Sequence, residues 1–62
     1  MTPKEKAKEL VLKFAFKGAQ HEGEAKTFAL ITVDELIYET QFEVPNIRQR
    51  YWIDVKKEIE LL

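Results

Sequence analysis

The sequence predicts an all-α fold: a small antiparallel three-helix domain that assembles as a homo-oligomer. Three observations carry this expectation. Polar or proline-marked breaks at 18–23 and 43–46 divide the 62 residues into three segments, each with apolar side chains at helical spacing. Cysteine is absent, so disulfides and thiolate zinc sites are excluded. A chain this short buries only about 60% of the surface it exposes unfolded, and oligomerisation is the aid that remains. Third, the middle segment has apolar residues on two opposite sides, whereas a helix with two neighbours needs one broad stripe.

The first segment opens on Thr2-Pro3-Lys4-Glu5. Thr2 is placed to accept from the Glu5 backbone N–H while Glu5 reaches back to Thr2, and Pro3 at the first helical position loses no useful donor. Ala7, Leu10, Val11 and Phe14 follow at core-facing spacing, and Lys17-Gly18 reads as a basic last turn and a C-cap. This predicts a helix at about 3–16, with Leu12 and Phe16 off its stripe.

Residues 18–23 (GAQHEG) read as a connection, and 25–41 as the two-faced helix, set at about 24–41. With Phe28 at 0° and about 100° per residue, Ala25, Leu36, Ala29, Val33, Ile37 and Leu30 fill roughly 60° to 200°. Phe28, Ile31 and Tyr38 make a second arc from about 280° to 360°. Thr27, Phe28, Ile31, Thr32 and Val33 favour a strand by type. Their failure to alternate, over a long stretch without Gly or Pro, favours a helix.

Glu43-Val44-Pro45-Asn46 is the second break, with Asn46 as N-cap and Gln49 three later. Ile47, Tyr51, Trp52, Val55, Ile59 and Leu62 then gather on one side of a helix at about 47–61, while Ile53 stands apart beside Lys57. The expected core of this single helical domain, 1–62, is Leu10, Val11, Phe14, Ala29, Val33, Leu36, Ile37, Trp52, Val55 and Ile59. Phe28, Ile31, Tyr38 and Ile53 are the apolar residues left over and form the expected interface.

A net charge of −1, from ten basic and eleven acidic side chains, disfavours a nucleic-acid partner. No apolar run approaches membrane-span length, and the charged opening Met-Thr-Pro-Lys-Glu-Lys lacks the apolar core of a signal peptide, so the expected location is the cytoplasm. Catalysis is not expected. Serine and cysteine are absent, and the one histidine, His21, lies in the first connection. Glu35 and Glu39 share a face one turn apart, which is everyday solvated helix surface. His21-Glu22-Gly23-Glu24 could ligate a metal only weakly, and reads first as a polar lead into a helix whose first turn welcomes acids. No cofactor or metal is expected.

Two features carry more chemistry. Asp34 lies in the polar seam between the two arcs; the plainer reading is an exposed Asp at the rim, while partial burial there would call for a cation from segment three or from another subunit. Arg48, Arg50, Tyr51 and Trp52, with Lys56 and Lys57 further on, combine guanidinium groups that bind phosphate with aromatic faces that stack on bases. The same letters describe an ordinary amphipathic helix, aromatics inward and cations outward. Oligomer symmetry could gather several copies of Arg48 or Lys26 around one pocket at a subunit boundary. The candidate ligand-binding residues are therefore Lys26, Arg48, Arg50, Tyr51 and Trp52.

Ala25-Lys26-x-x-Ala29-Leu30-Ile31-x-Val33-Asp34-Glu35-Leu36 and Tyr51-Trp52-x-x-Val55-Lys56-x-Glu58-Ile59-Glu60-x-Leu62 resemble a group of short proteins encoded by tailed phages and prophages of gut bacteria. The opening Met-Thr-Pro-Lys-Glu-Lys-Ala-Lys-Glu-Leu-Val is similar to theirs as well. The resemblance implies a helical middle segment and a phage-accessory context, and carries over no catalytic residue. Two function classes follow as expectations. One is counter-defence, by sequestering a small anionic signal such as a cyclic nucleotide or by blocking a host protein. The other is a structural, assembly or protein-interaction module with no small-molecule ligand.

Overall fold

Three α-helices account for the secondary structure of the computed structural model, which describes residues 1–17 and 22–62, without the Glu22 side chain. They are α1 (Pro3–Phe16), α2 (Glu22–Glu39) and α3 (Ile47–Leu61), and no strand occurs among the described residues. Each helix packs on both others, within extents of 38 × 19 × 16 Å.

The start of α1 forms as its sequence dictates. The Glu5 N–H donates to Thr2 Oγ1 at 3.2 Å, and Thr2 N–H donates to Glu5 Oε1 at 3.0 Å, so two otherwise orphaned donors are satisfied reciprocally. The Thr2 backbone N–H, and after it the Thr2 hydroxyl donating to Glu5 Oε1 at 2.9 Å, hold the Glu5 carboxyl below its ordinary value. Thr2→Ala should cost about 1 kcal/mol at neutral pH, measured by urea unfolding. A depressed carboxyl contributes above its unfolded pKa and loses that contribution as pH falls through the folded value. The difference between wild type and Thr2→Ala should therefore narrow as pH drops below the ordinary carboxylate range. At the other end Lys17 is the C-cap, its N–H donating to Lys13 O and Phe14 O. Gly18 and His21 lie outside the described residues.

α2 begins and ends two residues earlier than its sequence suggested. Gly23, expected in the connection, belongs to the first turn, and its carbonyl accepts from Thr27 Oγ1 at 3.0 Å. Thr32 does the same to Phe28 O, and Thr40 to Leu36 O at 2.8 Å. This back-bonding accounts for threonine in a helix that β-branched content argued against, because each hydroxyl finds a carbonyl one turn back. At Thr40 it also marks the end. Gln41 N–H and Glu43 N–H then reach only three residues back, to Tyr38 O and Thr40 O, so the helix gives way to turns. α3 starts after Asn46, whose side chain makes no capping bond; the expected side-chain cap is absent there.

The core is narrower than expected. Fully buried are Ala7, Ala25, Ala29, Val33, Val55 and Ile59, with Leu10 and Val11 close behind. The alanines let the helices approach, and the bulkier Phe14, Ile37, Tyr51 and Trp52 pack half-buried around this centre, as does Leu30. Phe14, Leu36, Ile37 and Trp52, expected inside, are thus perimeter residues, since so short a chain cannot surround this many large side chains on every side. Thr40, 1% exposed, is the buried polar residue among those described, satisfied by Leu36 O and Ile37 O.

Candidate functional site

The cationic–aromatic group is divided between the two ends of α3. Arg48 is exposed in its first turn, where Nη1 donates to Glu43 Oε2 at 3.0 Å. Arg50, two residues on, projects to a different side of the helix and is exposed, with no described carboxylate as ion-pair partner. Tyr51 and Trp52 meet edge to face, ring centroids 5.2 Å apart, and both lean on the core. The Tyr51 hydroxyl donates to Met1 O at 3.3 Å. Lys26 lies elsewhere: its Nζ donates to Glu60 O at 3.5 Å, at the carbonyl end of α3 where a cation is favoured. Twelve residues of helix place that contact about 18 Å along α3 from Arg48. Within one chain, then, Lys26 does not join the other four, because its contact is with the opposite end of α3.

Asp34 stands exposed at the rim, not buried in the seam, and it still has a cation beside it. Lys56 Nζ stands 2.9 Å from Asp34 Oδ1, so the cation comes from the third segment of the same chain. Both side chains are at the rim, 55% and 39% exposed, and Asp34 is not buried. The hydrogen bond it donates to Asp34, followed by the carboxylate's charge, holds the Lys56 ammonium above its ordinary value. Such pairs are screened by water and contribute little to stability. On α1, Glu9 pairs with both Lys6 and Lys13, at 2.9 and 3.4 Å, and these bonds hold its carboxyl below the usual range.

The apolar surface is more extensive than the cationic one. Ile31 and Tyr38 are 56% and 68% exposed on the outer side of α2. Phe28 is only just exposed, its ring tilted against Phe14 with centroids 5.9 Å apart. Ile53, the fourth expected interface residue, is half-buried on α3. Leu12 and Phe16 are exposed on α1, as their place off its stripe suggested. Three further exposed apolar side chains, Phe42, Val44 and Ile47, surround the cis Val44–Pro45 bond. Ile47 was grouped with the core face of α3. It is exposed in the first turn of the helix, where it lies about 80–120° round from the buried Val55 and Ile59. The visible signal was Phe42 and Val44 themselves, apolar residues in a break with no stripe to join. Val11, Leu12 and Leu62 line a shallow groove of about 280 Å³ with Lys8 at its edge.

Comparison with models of known protein families, with curated proteins and with solved structures finds no match. No helix among the described residues is long and apolar enough to cross a membrane. The geometry offers apolar patches edged by charge, which is the chemistry of protein–protein contact.

Proposed function

We propose that this chain is a non-catalytic binding protein that works as a homo-oligomer and engages protein surfaces. The observation that carries this reading is the exposure of eleven large apolar side chains among the described residues. Scattered apolar groups are normal on any surface, but a helix face such as Ile31 with Tyr38, beside its own core stripe, is the mark of an interaction site. An antiparallel arrangement of neighbouring segments is supported by the Phe14–Phe28 contact between α1 and α2 and by Lys26–Glu60 and Asp34–Lys56 between α2 and α3.

In the phage-accessory context that the resemblance implies, the partner is a host protein in the host cytoplasm, blocked by occupation of its surface. Service as an assembly or interaction module uses the same faces. Sequestration of a small anion is the second reading, favoured by Arg50, whose guanidinium has no described ion-pair partner. It requires Lys26 from another copy, since one chain keeps Lys26 and Arg48 apart. Native mass spectrometry of gently purified protein tests both readings. A defined oligomer without added mass is expected. Retained mass of a few hundred daltons, lost on Arg50→Ala, would transfer the assignment to sequestration, and a bare monomer would overturn the oligomeric reading.

A further inference from the structure

Opposite charge distinguishes two outward faces of the bundle. Residues 1–17 hold five lysines against two glutamates, whereas 22–43 hold six acidic side chains against Lys26. On α1 the outward apolar groups are Leu12 and Phe16, Phe16 being 86% exposed, with exposed Lys8 and Lys17 on either side in sequence. On α2 they are Ile31 and Tyr38, with exposed Glu35 and Glu39 alongside. Neither lysine pairs with a described carboxylate, and neither glutamate with a described cation.

We infer that the basic apolar face of α1 in one copy docks on the acidic apolar face of α2 in the next, so that the chain associates head to tail. This rests on the homo-oligomeric reading and gives it a geometry. Charge decides which faces meet. Packing α2 on α2 would bring Glu35 and Glu39 of both copies together, and α1 on α1 would oppose Lys8 and Lys17; α1 on α2 covers both apolar stripes and sets lysine against glutamate.

Direction decides the symmetry. Three helices that all touch one another sit at the corners of a triangle, so the outward faces of α1 and α2 point about 120° apart. A two-fold contact uses one self-complementary patch, whereas two different patches make a heterologous contact that closes as a ring or continues as a filament. Area agrees. α1 is about 21 Å long, and one helix lying on another over that length covers less than the roughly 800 Å² per partner of a standard interface. A subunit held on both faces buries twice as much.

Charge reversal tests the contact. Lys8→Glu with Lys17→Glu, and separately Glu35→Lys with Glu39→Lys, should each keep wild-type helicity by circular dichroism and run as monomers by light scattering. Mixed in equal amounts, the two double variants should rebuild an assembly larger than a dimer, because each altered face then meets its complement. If wild type is oligomeric but either variant alone keeps its size, or the mixture stays monomeric, the α1-on-α2 contact is overturned while the oligomeric reading stands. An oligomer that stops at the dimer overturns the head-to-tail geometry. A monomeric wild type overturns both, and one that also sediments with anionic phospholipid vesicles assigns the α1 face to a lipid surface instead. Salt supplies a readout that needs no variant. Association of the wild type should weaken at least about tenfold between low salt and about 0.5 M, where screening is strong, and a flat response overturns the charge pairing.

Discussion

Ile59→Ala is expected to leave the chain largely unfolded at room temperature. Ile59 is the largest fully buried side chain, set among Ala25, Ala29, Val33 and Val55 in the core. Truncation of a buried isoleucine costs about 2–5 kcal/mol through lost transfer energy and the cavity left behind. A single core in a chain this short rarely supplies more than about 3–5 kcal/mol in all. The loss therefore matches the whole stability. Leu61→Ala is the control, since Leu61 is mostly exposed at the end of α3 and should change stability by less than about 0.5 kcal/mol. Circular dichroism against urea, at one protein concentration, reads both. A cooperative transition for Ile59→Ala within about 1 kcal/mol of wild type would mean that the core lies elsewhere.

The second large effect separates association from folding. Ile31→Gln should keep the helix and dissolve the oligomer. Glutamine is as good a helix former as isoleucine, and it adds no charge beside Glu35 and Glu39, so the monomer should keep its stability within about 0.5 kcal/mol. Ile31 is 56% exposed, so covering it contributes about half of a full isoleucine burial of roughly 1.5–3 kcal/mol, and the substitution should weaken association at each interface by roughly 4- to 15-fold. Sedimentation velocity across a dilution series reads this directly. Phe28 makes a poorer test, because its ring also packs on Phe14 and its loss would disturb α1. If Ile31→Gln melts like a core mutant, the outward assignment of this side of α2 is wrong.

Thr40 shows where a one-dimensional reading fell short. At about 100° per residue it falls near 120°, in the middle of the inward arc of α2, yet its polar type kept it out of the expected core. The structure buries it because its hydroxyl bonds to carbonyls of its own last turn and asks nothing of the neighbours. Trp52 failed in the opposite direction: the type suggested a centre, and the packing made it a wall.

What the sequence by itself determined is what local interactions decide. Thr2 and Glu5 cap each other across one turn, and the stripe of Ala7, Leu10 and Val11 follows from helical period alone. So does the two-sided character of α2, because angular position within one helix needs no knowledge of a neighbour. Only the tertiary structure decided which helix lies against which side. It matched Asp34 with Lys56 and carried Lys26 to the far end of α3. Those pairings depend on relative offset and rotation of packed helices, which the summed fit of many side chains sets and no single motif encodes.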